Sequence, residues 1–153
     1  MQRRRSERRT TMTAVLEVIG SDALSGRKLL EIFRNAYLEG ELDQDGDVRL
    51  TLDGIKILVT VDVSRKLLHF ISIFGVKPSA TRGQVLDLCN RINDRLILIR
   101  AAYPSALPSP AVMLDHYVVT EAGVTAVEIV DDVRRFRTVI GSVPPLNTED
   151  ILN

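Results

Sequence analysis

The stretch from Val48 to Phe74 constrains this chain more than any other. Val48, Leu50 and Leu52 alternate with Arg49 and Thr51. Asp53-Gly54 follows, a pair that readily takes the left-handed backbone a two-residue hairpin needs. Ile55, Ile57, Val59, Val61 and Val63 then alternate with Lys56, Thr60 and Asp62, Leu58 being the one breach. A period of two gives a strand one dry face and one wet face. Ser64-Arg65-Lys66 reads as a second turn. Leu67 to Phe74 reads as a third strand, apolar on both faces, with Leu67, Ile71 and Ile73 on one and Leu68, Phe70 and Phe74 on the other. The result is an antiparallel meander.

Helical periodicity flanks it. Ser25 caps a helix expected over 26–39, its stripe formed by Leu29, Leu30, Phe33, Ala36 and Tyr37, with Gly40 at the C-terminal left-handed position. Thr81 opens a second helix, with the stripe Val85, Leu88, Cys89, Ile92, Leu96 and Ile99. Pro104, Pro108 and Pro110 make 104–110 a loop. Val112 to Val119 is a strand, apolar on both faces except at Asp115 and His116. Thr125-Ala126-Val127-Glu128 matches a capping box. It opens a helix burying Ile129, Val133, Phe136 and Ile140, and Gly141 and Pro144-Pro145 end that helix. The reading is an α+β fold in the order α-β-β-β-α-β-α, an antiparallel sheet with helices packed on it. Residues 13–143 form a single domain and 144–153 a loose C-terminus.

Composition sets bounds on function. A chain of 153 residues, 45% hydrophobic, can bury a core without disulfide or metal. The lone Cys89 excludes a disulfide framework within one chain. The zero net charge is uneven: residues 1–12 sum to +4, with Arg3, Arg4, Arg5, Arg8 and Arg9 against Glu7, leaving −4 on the rest. With Met the one apolar type in it, this basic tail is expected to be disordered. It admits a second function class, nucleic-acid association through phosphate contacts. Translation starting at Met12 would omit most of it. The apolar run Ala14–Ile19 is short and interrupted by Glu17, so no secretory signal is read. No apolar run reaches the ~18 residues of a membrane span. A cytoplasmic location is expected.

Candidate chemistry is thin. Glu41-Leu42-Asp43-Gln44-Asp45-Gly46-Asp47 resembles a calcium loop, whose oxygens surround a sharp turn, but the twelfth position is Leu52 where a bidentate Glu is needed. A turn at Asp45-Gly46 with solvated acids accounts for it. His69 and His116 meet a carboxylate only if their strands pair in a suitable register, and zinc would still want a fourth ligand. Arg91, Arg95 and Arg100 read as a solvated helix face. Cys89, on an apolar stripe, reads as an inert hydrophobe. There is no nucleophile elbow and no glycine-rich phosphate loop. No catalytic residue, cofactor or metal is expected. Asn90 and Asn93 stand out in mid-helix, where an amide competes for backbone bonds. At least one should sit near the core edge and need a partner.

The element order, the turn Asp43–Asp47, the alternating strand Ile55–Val63 and the pair Asn90-Arg91-Ile92-Asn93 resemble the YbjN family of small bacterial proteins, labelled sensory transduction regulators. The resemblance spans roughly residues 24–142 and implies a fold like that of the type III secretion chaperones. It also implies a non-enzymatic binding module with a polypeptide partner and self-association as a homodimer. Only Asn90 and Asn93 carry over as a motif, in a structural or ligand role. Strands apolar on both faces need cover on both sides. The expected partner-binding surface is therefore Leu68, Phe70, Phe74, Met113 and Tyr117, in a homodimer or in a groove for another polypeptide.

Overall fold

The computed structural model describes residues 17–153. The tail of residues 1–12, with the disorder and the nucleic-acid contacts expected of it, lies outside the described residues. In chain order the elements are β1 (Val18–Ile19), a 3-10 turn (Ser21–Ala23), α1 (Gly26–Asn35), β2 (Gly40–Leu42), β3 (Val48–Leu52), β4 (Ile55–Asp62), β5 (Leu67–Gly75), α2 (Arg82–Arg95), β6 (Arg100–Ala102), β7 (Ala111–Val119), β8 (Val124–Thr125), α3 (Ala126–Ile140) and a second 3-10 turn (Pro144–Leu146). Six strands form one antiparallel sheet in the order β2-β3-β4-β5-β7-β6, while β1 and β8 pair separately.

Local chemistry places the helices. The Ser25 hydroxyl accepts the Lys28 N–H at the start of α1. Thr81 with Gln84, and Thr125 with Glu128, form reciprocal capping boxes on α2 and α3. Each such cap is worth about 1 kcal/mol. Glu128 is held below the usual carboxylate range by the backbone and hydroxyl of Thr125. Two helix ends differ from expectation. α1 stops at Asn35 because Tyr37 itself turns left-handed, at φ 60°, and Gly40 begins β2. α2 stops at Arg95, and Leu96 and Ile99 reach the core from extended backbone.

The helices cover one side of the sheet. α1 lies against β2, β3 and β4, and α2 against β6. α3 reaches β5 through Phe136, whose ring lies 6.0 Å from that of Phe70. Between them lies one continuous core holding Phe33, Val48, Ile57, Val59, Leu68, Phe70, Leu88, Ile92 and Leu114. The C-terminus is not loose, contrary to the sequence reading. Ile151 is buried in the core, Leu152 bridges to Val76, and the Asn153 N–H donates to the Gly75 carbonyl. An apolar side chain at a chain end docks where β5 leaves backbone groups to pair.

Candidate functional site

Strand alternation sorts β5 and β7 into two faces. Val59 pairs with Phe70, and Phe70 with His116, so Leu68, Phe70, Val112 and Leu114 point to the helices. Leu58 pairs with Ile71 and Ile71 with Asp115, so Leu58, Ile71, Ile73, Met113, Tyr117 and Val119 point the other way. None of these six belongs to the core, and Ile73 is 52% exposed. This outer face has no helix over it among the described residues, and its apolar side chains share it with Lys56, Thr60, Asp62 and His69.

The five expected surface residues divide between these faces. Leu68 and Phe70 are fully enclosed by the chain's own helices, and Phe74 packs half-buried on the same core. Only Met113 and Tyr117 lie on the outer face. The surface therefore runs through Leu58, Ile71, Ile73 and Val119 instead. Where both registers of a strand are apolar, composition cannot tell which one the helices take.

A polar cluster sits in the middle of this face. The Asp115 carboxylate is wholly buried, yet it accepts Arg100 Nε at 3.0 Å and Arg100 Nη2 at 2.6 Å. His69 Nε2 lies 2.9 Å from the second oxygen. The His69 ring stacks on Tyr117 at 4.0 Å between centroids and 8° between planes. The Arg100 guanidinium, reaching over from β6, sits 5.8 Å from the centre of the same Tyr117 ring. Arg100 is held more firmly protonated by its hydrogen bonds and charge contact with Asp115. A bidentate guanidinium and an imidazole satisfy a carboxylate that would otherwise be costly to bury. The arrangement seats the partly exposed Tyr117 ring against His69 and Arg100. The sequence points to Asp115 as the one acid in an apolar strand and to His69 as able to meet a carboxylate if the strands pair in register, which they do; it groups Arg100 with helix arginines and Tyr117 with the apolar surface. His116 points to the opposite face and does not join.

Beneath the far end of β7 is a cavity of about 290 Å³, bounded by Leu98, His116, Val118, Asp132, Arg135 and Phe136. That is at the small end of the roughly 300–1,000 Å³ of small-molecule pockets, room for side chains rather than a large cofactor. Asp132 is pushed above the usual carboxylate range by burial, against the opposing charges of His116 and Arg135.

The remaining sequence candidates resolve as follows. The Asn93 amide accepts the Ala101 N–H at 2.7 Å and donates to the Ala101 carbonyl at 3.1 Å, pinning β6 to α2, while Asn90 is exposed. Burial tends to raise Asp43, but the amides of Asp47 and Asp45 and the Arg49 side chain outweigh it and hold it low. Those bonds shape a tight turn between β2 and β3. Cys89 is buried, which pushes its thiol up. Arg91, Arg95 and Arg100 do not share one solvated helix face: Arg95 is exposed beside Asp94, Arg91 is partly buried, and Arg100 lies on β6 against Asp115. Among the described residues no three His, Cys, Asp or Glu side chains are placed to hold a metal ion, and no helix is long and apolar enough to cross a membrane.

The architecture is shared with solved structures. YbjN from E. coli superposes with a TM-score of 0.74 at 17% identity, covering 90% of this chain and 99% of that one. The HopA1-SchA chaperone-effector complex matches at 0.55 and 10% identity, over 79% and 91% of the two chains. The Yersinia pestis type III secretion chaperone SycH, in complex with a stable fragment of YscM2, matches at 0.51 and 15%, over 80% and 99%. These likenesses establish a type III secretion chaperone-like fold. No curated protein matches the chain. The family model described as "Putative bacterial sensory transduction regulator" matches residues 28–143, most of the chain, and the protein therefore belongs to the YbjN family.

Proposed function

We propose that the protein is a non-enzymatic, cytoplasmic protein-binding module, a regulator or chaperone-like protein, that holds a partner polypeptide on the outer face of its sheet. The observation that carries this reading is the set of apolar side chains on a sheet side without helix cover among the described residues, Leu58, Ile71, Ile73 and Met113 on one side of the Asp115 cluster and Tyr117 and Val119 on the other. Uncovered apolar surface of this kind marks interaction sites. The Asp115 cluster supports the reading, because it sets a tyrosine and an arginine, residue types enriched in binding hot spots, side by side at the surface. Two structural neighbours were themselves solved as complexes with an effector or a stable polypeptide fragment, which supports a polypeptide partner. Self-association is the competing occupant of the same face.

Affinity capture from the native host, with wild type beside Ile73→Glu and Val127→Glu, tests the proposal. Ile73 and Val127 are both exposed, so both variants should fold. The expected result is a polypeptide retained by wild type and by Val127→Glu and lost by Ile73→Glu. Equal retention by all three overturns the face. Light scattering on the purified chain separates the occupants: twice the 17.0 kDa chain mass, reduced to one by Ile73→Glu, identifies a second copy on this face.

A further inference from the structure

β7 is nine residues long, but β6 pairs with only Met113, Leu114 and Asp115. The Thr120 N–H donates to Lys66 and the Val76 N–H to Pro110, so the even-numbered positions of β7 bond toward β5. Backbone groups alternate sides in an antiparallel ladder, so the odd-numbered positions point outward. Met113 and Asp115 meet β6 there, opposite Ala102 and Arg100. Tyr117 and Val119 have no strand opposite them among the described residues. Leu98, at φ 69°, turns the chain out of line just before β6 begins. Sheet edges are ordinarily guarded by a charge, a proline, a bulge or a cover. Tyr117-Val118-Val119 has no charge or proline, and Tyr117 and Val119 are 40% and 67% exposed.

The cavity described above opens under this same edge, on the helix side, with Phe136 and Val118 in its wall. Asp132 stands in it half-buried, with His116 and Arg135 acting on it through charge and not through a hydrogen bond. The chain beyond residues 1–12 carries a net −4, which also favours a basic partner.

We propose that the Tyr117–Val119 edge is a strand-addition site for an extended segment of a partner polypeptide, one long basic side chain of which enters the cavity. Its aliphatic stem lies on Phe136 and Val118, and its cation meets Asp132. The residues on either side of the basic one fall on the outer face beside Tyr117 and Val119, where β-branched or aromatic side chains suit. Backbone pairing supplies affinity and the cavity supplies selectivity. The proposal rests on the protein-binding reading above and names the segment that is held.

Selection of short random peptides on the full-length protein, followed by titration and amide exchange, tests it. The selected peptides should carry Lys or Arg between β-branched or aromatic neighbours and should slow exchange at the Tyr117 and Val119 amides. Val119→Pro removes an outward N–H and leaves the bonds to β5, so binding should fall at least about tenfold with little change in thermal stability. Asp132→Asn, which disturbs no backbone bond, should weaken binding similarly and relax the preference for a basic residue. Selected peptides that bind both variants as well as wild type overturn the edge site and leave protein binding elsewhere intact. A selection that yields no binder overturns the edge site, while retention of a polypeptide lost by Ile73→Glu in the capture experiment decides the protein-binding reading separately. Protection of Tyr117 and Val119 that rises with protein concentration in the absence of peptide assigns the edge to a second copy and overturns the proposal.

Discussion

Asn93 and Asn90 are the same residue type three positions apart on α2, and their environments separate them. Both are exposed, and the difference is that Asn93 completes both backbone groups of the buried Ala101. Asn93→Ala strands a backbone donor and acceptor, so chemical denaturation should show a loss of about 1–3 kcal/mol. Asn90→Ala should stay within about 0.5 kcal/mol of wild type. The Asp115 pair is asymmetric in a different way. Arg100 is 58% exposed and can return to water, but Asp115 cannot. Arg100→Ala, which leaves a buried carboxylate, should therefore cost about 3 kcal/mol, and Asp115→Asn about 1–2 kcal/mol. The reverse order in denaturation would contradict the pairing. Asp62 has its carboxyl lowered to about 2 by the Ser64 hydroxyl, the Arg65 N–H and the Arg65 side chain. A depressed folded value means the interaction stabilises above the usual carboxylate range and is lost as pH falls through about 2. A carboxyl NMR titration should place the Asp62 midpoint near 2. A midpoint near the ordinary aspartate value of 3.8 would contradict the turn geometry. The sequence marked Asn90 and Asn93 because an asparagine in mid-helix competes for backbone bonds, and Asp115 because it interrupts an apolar strand. It did not disclose the partners, Ala101 and Arg100, which depend on where a three-residue strand lands.

At the scale of elements, the caps and the meander were legible because their signals are local. Thr125 and Glu128, Thr81 and Gln84, and Asp53-Gly54 interact within four residues. Of the short strands, β2 follows from the turn read at Asp45-Gly46 between short strands, whereas β1, β6 and β8 were not legible, being two or three residues long and formed only by their neighbours. One contact joins the two kinds. Gly26 opens α1 directly against the Gly46 carbonyl of the β2–β3 turn, where an added Cβ would collide with backbone. Gly26→Ala should cost about 1–3 kcal/mol by displacing that turn, measured as a lowered denaturation midpoint. An unchanged midpoint would mean that α1 and the turn are not in register. Gly46, at φ 85°, holds the turn from the other side.

For the molecule as a whole, the fold and the family were readable from element order, but the working surface was not. β5 and β7 are apolar in both registers, and the choice between them rests on α3 bringing Phe136 onto Phe70. That choice buries Leu68 and Phe70 and leaves Ile73, Tyr117 and Val119 outside. The account stands or falls on that outside face touching another polypeptide. A photo-crosslinking side chain placed in turn at Ile73, at Met113 and at Val127, in the native host, measures this directly. Adducts of polypeptide mass at Ile73 and Met113 but not at Val127 are the predicted result. Adducts at Val127 alone, or none at Ile73 and Met113, would contradict it.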